Sequence, residues 1–348
     1  MAWYLEEGPE SDVVISTRVR LARNLAQTPF PWRLEASELD YVKQKVTDAF
    51  CQSCLEEGEK PLIANLEDLD PIVLDALAER RIISPKMTRQ TQGKALLLFP
   101  GESRGILVNE EDHLRIYAVS AGLRLQETAS QALACAASLE AKLPLAKSDR
   151  LGYLTACPTN TGTGMRASVM LHVPGLVRSG VIKALADKLA KSGYALRGSG
   201  GEGTGIEADM IQLSNQVTLG VLEEAILDSL DRLVLDVAQE ERKARQTLYA
   251  RDPLALEDQI ARSRGQLMNA RLMTEDEAKE GLSNLRLGRE LHLADMPAYA
   301  SIQQLLTSVG QAAVQEEAGR ALTERESQER RAQLIRRSLG DKEEVNTD

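Results

Sequence analysis

No apolar run in the 348 residues approaches the ~20 needed to cross a bilayer, and no cationic hydrophobic leader opens the chain. The expectation is a cytoplasmic protein with no membrane contact, whose four cysteines, Cys51, Cys54, Cys135 and Cys157, remain reduced. Basic excess is also missing. A net charge of −10 and a pI near 5.1 exclude nucleic acid as the main partner, because phosphate-backbone binding needs a basic face. A basic protein or guanidinium substrate fits that charge better. Cys51 and Cys54 have C-x-x-C spacing, yet no second Cys/His pair completes a metal site, so no protein-held metal is expected. Leu39, Val42, Val46, Phe50 and Cys54 recur at helical spacing over residues 37–57, which makes these cysteines packed helix residues. Finally, no G-x-x-x-x-G-K-[ST] segment occurs, so any phosphate binding has to be done by something other than a P-loop.

What the chain does have is arginine grouped with carboxylate, glycine and small residues in four windows. The central one, Val108-Asn109-Glu110-Glu111-Asp112-His113-Leu114-Arg115-Ile116, sets three carboxylates, an imidazole and an arginine in an apolar frame. Read as a turn between strands 105–108 and 114–119, it places the acids at a strand end; alone, it could equally be a solvated acidic loop. The others are Ser16-Thr17-Arg18-Val19-Arg20-Leu21-Ala22-Arg23-Asn24, Cys157-Pro158-Thr159-Asn160-Thr161-Gly162-Thr163-Gly164-Met165-Arg166-Ala167-Ser168, and Arg197-Gly198-Ser199-Gly200-Gly201-Glu202-Gly203-Thr204. Strand alternation puts Arg18 and Arg20 on one side. Guanidinium groups are permanently charged and fork onto phosphate oxygens, so arginines converging on one cleft read as a polyphosphate clamp. Residues 198–203 spell G-x-G-x-x-G, but a dinucleotide site requires a helix next, and residues 206–214 read as a strand.

Together and in this order the four windows resemble the signatures of the phosphagen (guanidino) kinase superfamily, and within it the bacterial protein-arginine kinase (McsB) family. The resemblance spans roughly residues 9–245 by motif order. It implies transfer of the γ-phosphoryl of ATP to a guanidinium, with Mg2+ held through the phosphates. Arg18, Arg20, Arg115, Arg166 and Arg197 would hold the phosphates, with Ser16, Thr17, Val19, Ala167, Ser168, Val169, Met170, Gly198, Ser199, Gly200, Gly201 and Glu202 lining the nucleotide. Glu111 would pair with the substrate guanidinium and accept its proton. Glu202 is preferred over Glu207 as second carboxylate, and Cys157 matches the family's reactive cysteine. Glu110 and Asp112 would support the loop or the Mg2+ water shell, and His113 is a further nucleotide contact. His172 reads as a strand residue.

Three departures stand out. Arg81 occupies a position near the nucleotide where the family usually has His, Gly205 replaces a further Glu closing the glycine loop, and the phosphoarginine-binding R-D-x-x-R-A segment survives here as Ser327, Gln328, Arg331 and Ala332. That allosteric site is expected to be weak.

Elements are expected at 67–80 (helix), 94–99, 104–108 and 114–119 (strands), 127–143 (helix), 152–154 and 167–173 (strands), 177–191 (helix), 194–197 and 206–214 (strands), and 218–250 (helix). Strands in runs with helices appended mean an α+β fold, an antiparallel sheet flanked by helices. Arg251-Asp252-Pro253 breaks the last helix, and residues 254–348 are almost wholly helical pattern. The expected domains are a catalytic one at 1–250 and an all-helical regulatory or dimerisation one at 251–348. The leading function is a kinase for arginine residues in proteins, because the first motif starts at Ser16 with no sizeable helical domain before it. Expected partners are proteins with exposed arginine, an activator protein, a Clp ATPase and a second copy of the chain. A free-arginine kinase and a non-catalytic phosphoarginine-binding adaptor are the alternatives.

Overall fold

The computed structural model describes residues 3–198 and 205–340. In chain order these form β1 (Val14–Arg23), α1 (Ala36–Glu57), β2 (Leu62–Asn65), α2 (Pro71–Glu79), β3 (Ala95–Leu98), β4 (Arg104–Val108), β5 (Leu114–Ala121), α3 (Leu125–Glu140), β6 (Lys147–Ser148), β7 (Gly152–Tyr153), β8 (Met165–His172), α4 (Pro174–Arg178), α5 (Ile182–Lys191), β9 (Tyr194–Gly198) and β10 (Met210–Asn215). The long α6 (Glu223–Arg251) comes next, and then α7 (Pro253–Asn269), α8 (Glu275–Glu290), α9 (Tyr299–Ser308), α10 (Gln311–Ala318) and α11 (Glu324–Gly340).

Eight strands form one sheet in the order β2-β3-β4-β5-β1-β8-β10-β9, and every pairing is antiparallel. One face is apolar throughout. Val19, Leu21, Ile116, Ala118, Ala167, Val169 and Leu213 pack on Val42, Val46 and Phe50 of α1, Ala129 and Ala132 of α3, and Leu230 and Val234 of α6. The other face is apolar only toward one edge, where Leu96, Leu98, Leu107, Tyr117 and Val119 meet Leu74 and Leu77 of α2. Its middle is left to the arginines. Helices α7, α8, α9 and α11 enclose a separate cluster that includes Leu267, Leu282, Leu285, Ile302, Leu305 and Ile335.

The α+β expectation holds, with four local differences. Helix α2 starts at Pro71 with Asp70 as N-cap, not at 67, because proline is favoured in the first turn and disfavours helix at the residue before it. The helix expected over 177–191 is two, interrupted at Gly180, whose φ of +74° leaves the helical region. Strand β10 begins at Met210, since Ala208 and Asp209 have φ of 51° and 54° and make a turn. Helix α6 begins at Glu223 instead of 218, since Thr218 is used as a loop anchor.

Candidate active site

The sheet register builds an arginine-lined face from four strands. On β1 the side chains alternate, so Thr17, Val19 and Leu21 are buried while Ser16, Arg18 and Arg20 face the other way. Arg20 lies opposite Arg166 on β8 and Tyr117 on β5, Arg18 opposite Ser168, and Ser16 opposite Met170. Across β10, Gln212 pairs with both Met170 and Arg197, which carries the same face to β9. Arg115, opposite Ala22, completes it from β5. Thus Arg18, Arg20, Arg115, Arg166 and Arg197 share one face of the sheet, with Thr17, Ala167 and Val169 behind them in the core. Thr17 serves the fold, donating to the carbonyl of Gly122 at 2.7 Å.

These guanidiniums repel one another. Burial pushes the Arg18 pKa down to about 10; Tyr117, whose ring lies 5.0 Å from its guanidinium carbon, and Glu110 oppose the shift, while Arg115 and Arg81 add to it. Arg20 is driven well below its ordinary value by burial and then by Arg115, Arg18 and Arg166. The buried Nε atoms of both Arg18 and Arg20 have no hydrogen-bond partner among the described residues. Clustered, desolvated cations with spare donors suit a polyanion such as a nucleotide triphosphate. Arg81, held at φ +59°, reaches this face and sets Nη1 3.7 Å from the Met170 sulfur.

The acidic segment closes the β4–β5 hairpin, and its three carboxylates have three different fates. Glu110 forms an ion pair with Arg115; burial would raise its pKa, but Arg115, the Ser84 hydroxyl and nearby Arg20 hold it down. Asp112 is buried, and its Oδ1 accepts from Asn24 Nδ2 and from the amide of Ala156, each at 2.6 Å. Glu111 alone is exposed. Its pKa is raised by burial of the carboxyl and then by Asp112 and Glu110, which suits a group that must accept a proton. Asn109, at φ 55°, anchors the hairpin by donating from Nδ2 to the carbonyls of Leu39 and Gly93.

Both ring nitrogens of His113 are engaged within the protein. Its Nδ1 accepts from the Leu25 amide at 3.1 Å and its Nε2 meets the Pro29 carbonyl at 3.0 Å, while burial pushes its pKa down to about 4. It is a neutral pin between the hairpin and the segment after β1. His172 is likewise buried, with Nε2 2.9 Å from Ser283 Oγ of α8.

Cys157 starts a single helical turn, Pro158–Asn160, and its sulfur shares a hydrogen bond with Thr159 Oγ1 at 3.0 Å. The Asp112–Ala156 bond lies one residue from Glu111 and one from Cys157, so it couples the acidic hairpin to the thiol loop. Thr218 holds that loop from the other side, donating to the carbonyls of Thr159 and Thr161 at 2.9 and 2.8 Å. Gly198 ends β9. Ser199, Gly200, Gly201 and Glu202 lie outside the described residues. Glu207, the competing second carboxylate, is ion-paired with Lys279 of α8 at 2.8 Å.

In the C-terminal helices, Ser327, Arg331 and Ala332 are buried in α11. Arg331 donates to the carbonyls of Val309 and Met273 and to Gln311 Oε1, and Gln328 bonds Glu324. In this arrangement Arg331 is an internal pin, and the neighbouring Arg330 is paired with Glu317.

Sequence reasoning gives Asp112 a loop-supporting role without its partners, and leaves Asn24 and Thr218 unassigned as organisers. Asn24 and Asp112 are visible as motif members, but their partners are 88 and 130 residues away in the chain, beyond any local pattern.

Comparison with known proteins agrees with this geometry. The C-terminal catalytic domain model of ATP:guanido phosphotransferases matches residues 41–244, and the model of the protein-arginine kinase McsB C-terminal domain matches residues 253–348. The protein-arginine kinase of Brevibacillus brevis is 39% identical over 97% of this chain and 94% of its own length. That of Bacillus subtilis is 35% identical over 97% of this chain and 93% of its own. Lombricine kinase has a TM-score of 0.58 at 23% identity, covering 72% of each chain. The duplicated taurocyamine kinase from Schistosoma mansoni with bound transition state analog components has a TM-score of 0.61 at 24% identity, covering 70% of this chain and 35% of that one. These two likenesses show the fold.

Proposed function

The chain belongs to the protein-arginine kinase family, a branch of the ATP:guanido phosphotransferases, and from that premise we propose that it uses MgATP to phosphorylate arginine residues in proteins. The observation that carries this reading is the juxtaposition of an arginine-lined sheet face with an exposed carboxylate of raised pKa, Glu111. MgATP supplies the γ-phosphoryl group, with Mg2+ bound through the phosphates. Arg18, Arg20, Arg115, Arg166 and Arg197 neutralise the phosphate charge, and Arg81 adds a cation near Met170. Glu111 orients the acceptor guanidinium and takes its proton as the N–P bond forms and ADP leaves. Such positioning and charge stabilisation are most of what phosphoryl transfer requires of a protein. Cys157 is assigned to the acceptor side in this reading, its loop being tied to the acidic hairpin by the Asp112–Ala156 bond. Glu202 remains the choice for the second carboxylate, consistent with Glu207 being paired with Lys279.

The wider proposal is a cytoplasmic homodimer that acts in the stress response with an activator protein, marking substrates for a Clp protease. The test is incubation with MgATP and casein followed by mass spectrometry under non-acidic conditions. Phosphoarginine in casein is expected, and Glu111→Gln should reduce it by roughly 10²-fold or more with nucleotide binding retained. A better kcat/KM for free arginine would make this a free-arginine kinase. Binding of phosphoarginine proteins without turnover would make it an adaptor.

A further inference from the structure

A carboxylate lies within electrostatic reach of Arg81, and a lysine of the C-terminal helices holds it. Arg81 is exposed along part of its side chain, yet burial of the rest lowers its pKa, and Glu207 opposes that shift. Glu207 heads the turn into β10, where it bridges Met210, and Met210 pairs with His172, two residues along β8 from Met170. Since Arg81 Nη1 lies 3.7 Å from the Met170 sulfur, guanidinium and carboxylate approach the same corner of the sheet. The carboxylate is taken by Lys279 of α8, whose Nζ lies 2.8 Å from Glu207 and 2.6 Å from Glu275.

The backbone on either side is fixed without Lys279. Ser283, one turn further along the same face of α8, donates to Asp209 Oδ2 at 2.7 Å and so pins the turn that carries Glu207. Across the corner, Glu79 accepts from the amides of Ala312 and Ala313 in α10, which seats the end of α2 two residues before Arg81. Glu275 joins the two helices by accepting from the Gln311 amide at 3.0 Å. Lys279 therefore decides the direction of one side chain, that of Glu207. An ion pair whose carboxylate is 47% exposed adds little to stability, so removing it leaves the fold intact.

Resting on the reading of Arg81 as a phosphate-side cation, we propose that Lys279 is a positioning residue for nucleotide binding: it holds Glu207 away from Arg81 and so leaves that guanidinium free for the phosphates of MgATP. Without the ammonium group, Glu207 turns to Arg81 and pairs with it. A guanidinium that already carries a carboxylate offers less charge and fewer donors to a phosphate. The hairpin bearing Glu111 is anchored elsewhere, by Asn109 and Asp112, so the loss falls on MgATP binding and not on turnover.

The test measures the Kd for MgATP by titration calorimetry and kcat on casein, with full-length variants. Lys279→Met keeps an unbranched side chain and removes the charge; it should raise the Kd by roughly three- to tenfold, with kcat and the melting temperature near those of the parent. Adding Glu207→Gln should bring the Kd back to within about twofold of the parent, because a neutral amide does not neutralise Arg81. In an Arg81→Ala background, Lys279→Met should have no further effect. A purely structural bridge gives the opposite pattern, since Glu207→Gln breaks the same bridge and cannot rescue its loss. A parent-like Kd in Lys279→Met, or no rescue by Glu207→Gln, overturns the proposal while leaving Arg81 its role. Collapse of kcat in Glu207→Gln alone also overturns it, by placing Glu207 on the acceptor. A parent-like Kd in Arg81→Ala overturns the reading of Arg81 itself, and the role of Lys279 with it.

Discussion

Asp112 shows how a single oxygen can hold a candidate active site together. Both of its hydrogen bonds, from Asn24 Nδ2 and from the Ala156 amide, end on Oδ1. An asparagine can keep both with its carbonyl oxygen, whereas alanine loses both. Asp112→Ala should therefore lower kcat by roughly tenfold or more through displacement of Glu111 relative to Cys157, leaving KM for MgATP near normal. Asp112→Asn should stay within about threefold of the parent rate. The asparagine also removes a charge that raises the Glu111 pKa, after burial and ahead of Glu110. In the proposed reaction Glu111 acts deprotonated, so the acidic limb of the kcat/KM profile should move to lower pH in Asp112→Asn. A pH–rate series on the parent and both variants checks this; an Asn variant as impaired as Ala, or an unmoved limb, contradicts it.

At the scale of elements, α6 does more than cover the sheet. Glu241 is fully buried on it and caps α4, accepting from the amides of Gly175 and Leu176 at 3.0 and 2.9 Å, with Arg245 Nε 3.6 Å away. Burial raises its pKa to about 7, against the two amide bonds and Arg245 and with a small push from Asp209. The folded state thus holds this proton more tightly than the unfolded one. The resulting stability is full below the unfolded pKa and is lost as pH rises through about 7. From the ordinary 4.5 to about 7 corresponds to about 3 kcal/mol at most. The parent should lose stability between about pH 5 and 8, and Glu241→Gln should remove that part of the slope. Denaturant melts across that range measure it, and parallel slopes would assign the proton elsewhere. Little of this is legible in the sequence. Strand alternation in Ser16–Arg20 and helical spacing in α1 are legible, because each is a repeat along the chain. The Gly180 break, the turn at Ala208 and Asp209, and the Glu241 cap depend on backbone signs and on partners 65 or 66 residues away, which no periodicity encodes.

At the scale of the molecule, the C-terminal helices grip the catalytic sheet at points beside its site. Glu79, two residues before Arg81, caps α10 through the amides of Ala312 and Ala313 at 2.7 and 2.9 Å. Lys279 holds Glu207 next to the glycine loop, and Asp12, just before β1, binds Arg242 and Arg245, with Arg245 also reaching Glu290 at 3.2 Å. Gln311, the first residue of α10, bonds both Arg331 and Ser327. Arg331, from the retained half of a phosphoarginine motif, is therefore part of the frame that seats α10 and is only 1% exposed. Its Nε and Nη1 each spend an N–H on a carbonyl and its Nη2 spends one on Gln311, and the carboxylate expected to receive the ligand's guanidinium is Gln328 here. Millimolar phosphoarginine should consequently change initial rates by less than about twofold, since each charge-assisted bond lost weakens such a site by roughly tenfold or more. Arg331→Ala should instead destabilise the fold by about 3 kcal/mol, because it strands buried carbonyls of Val309 and Met273. Initial rates with and without phosphoarginine, paired with thermal melts of the variant, separate the two roles. Several-fold activation abolished by Arg331→Ala, in a variant that melts like its parent, would show that Arg331 serves the ligand and not the frame.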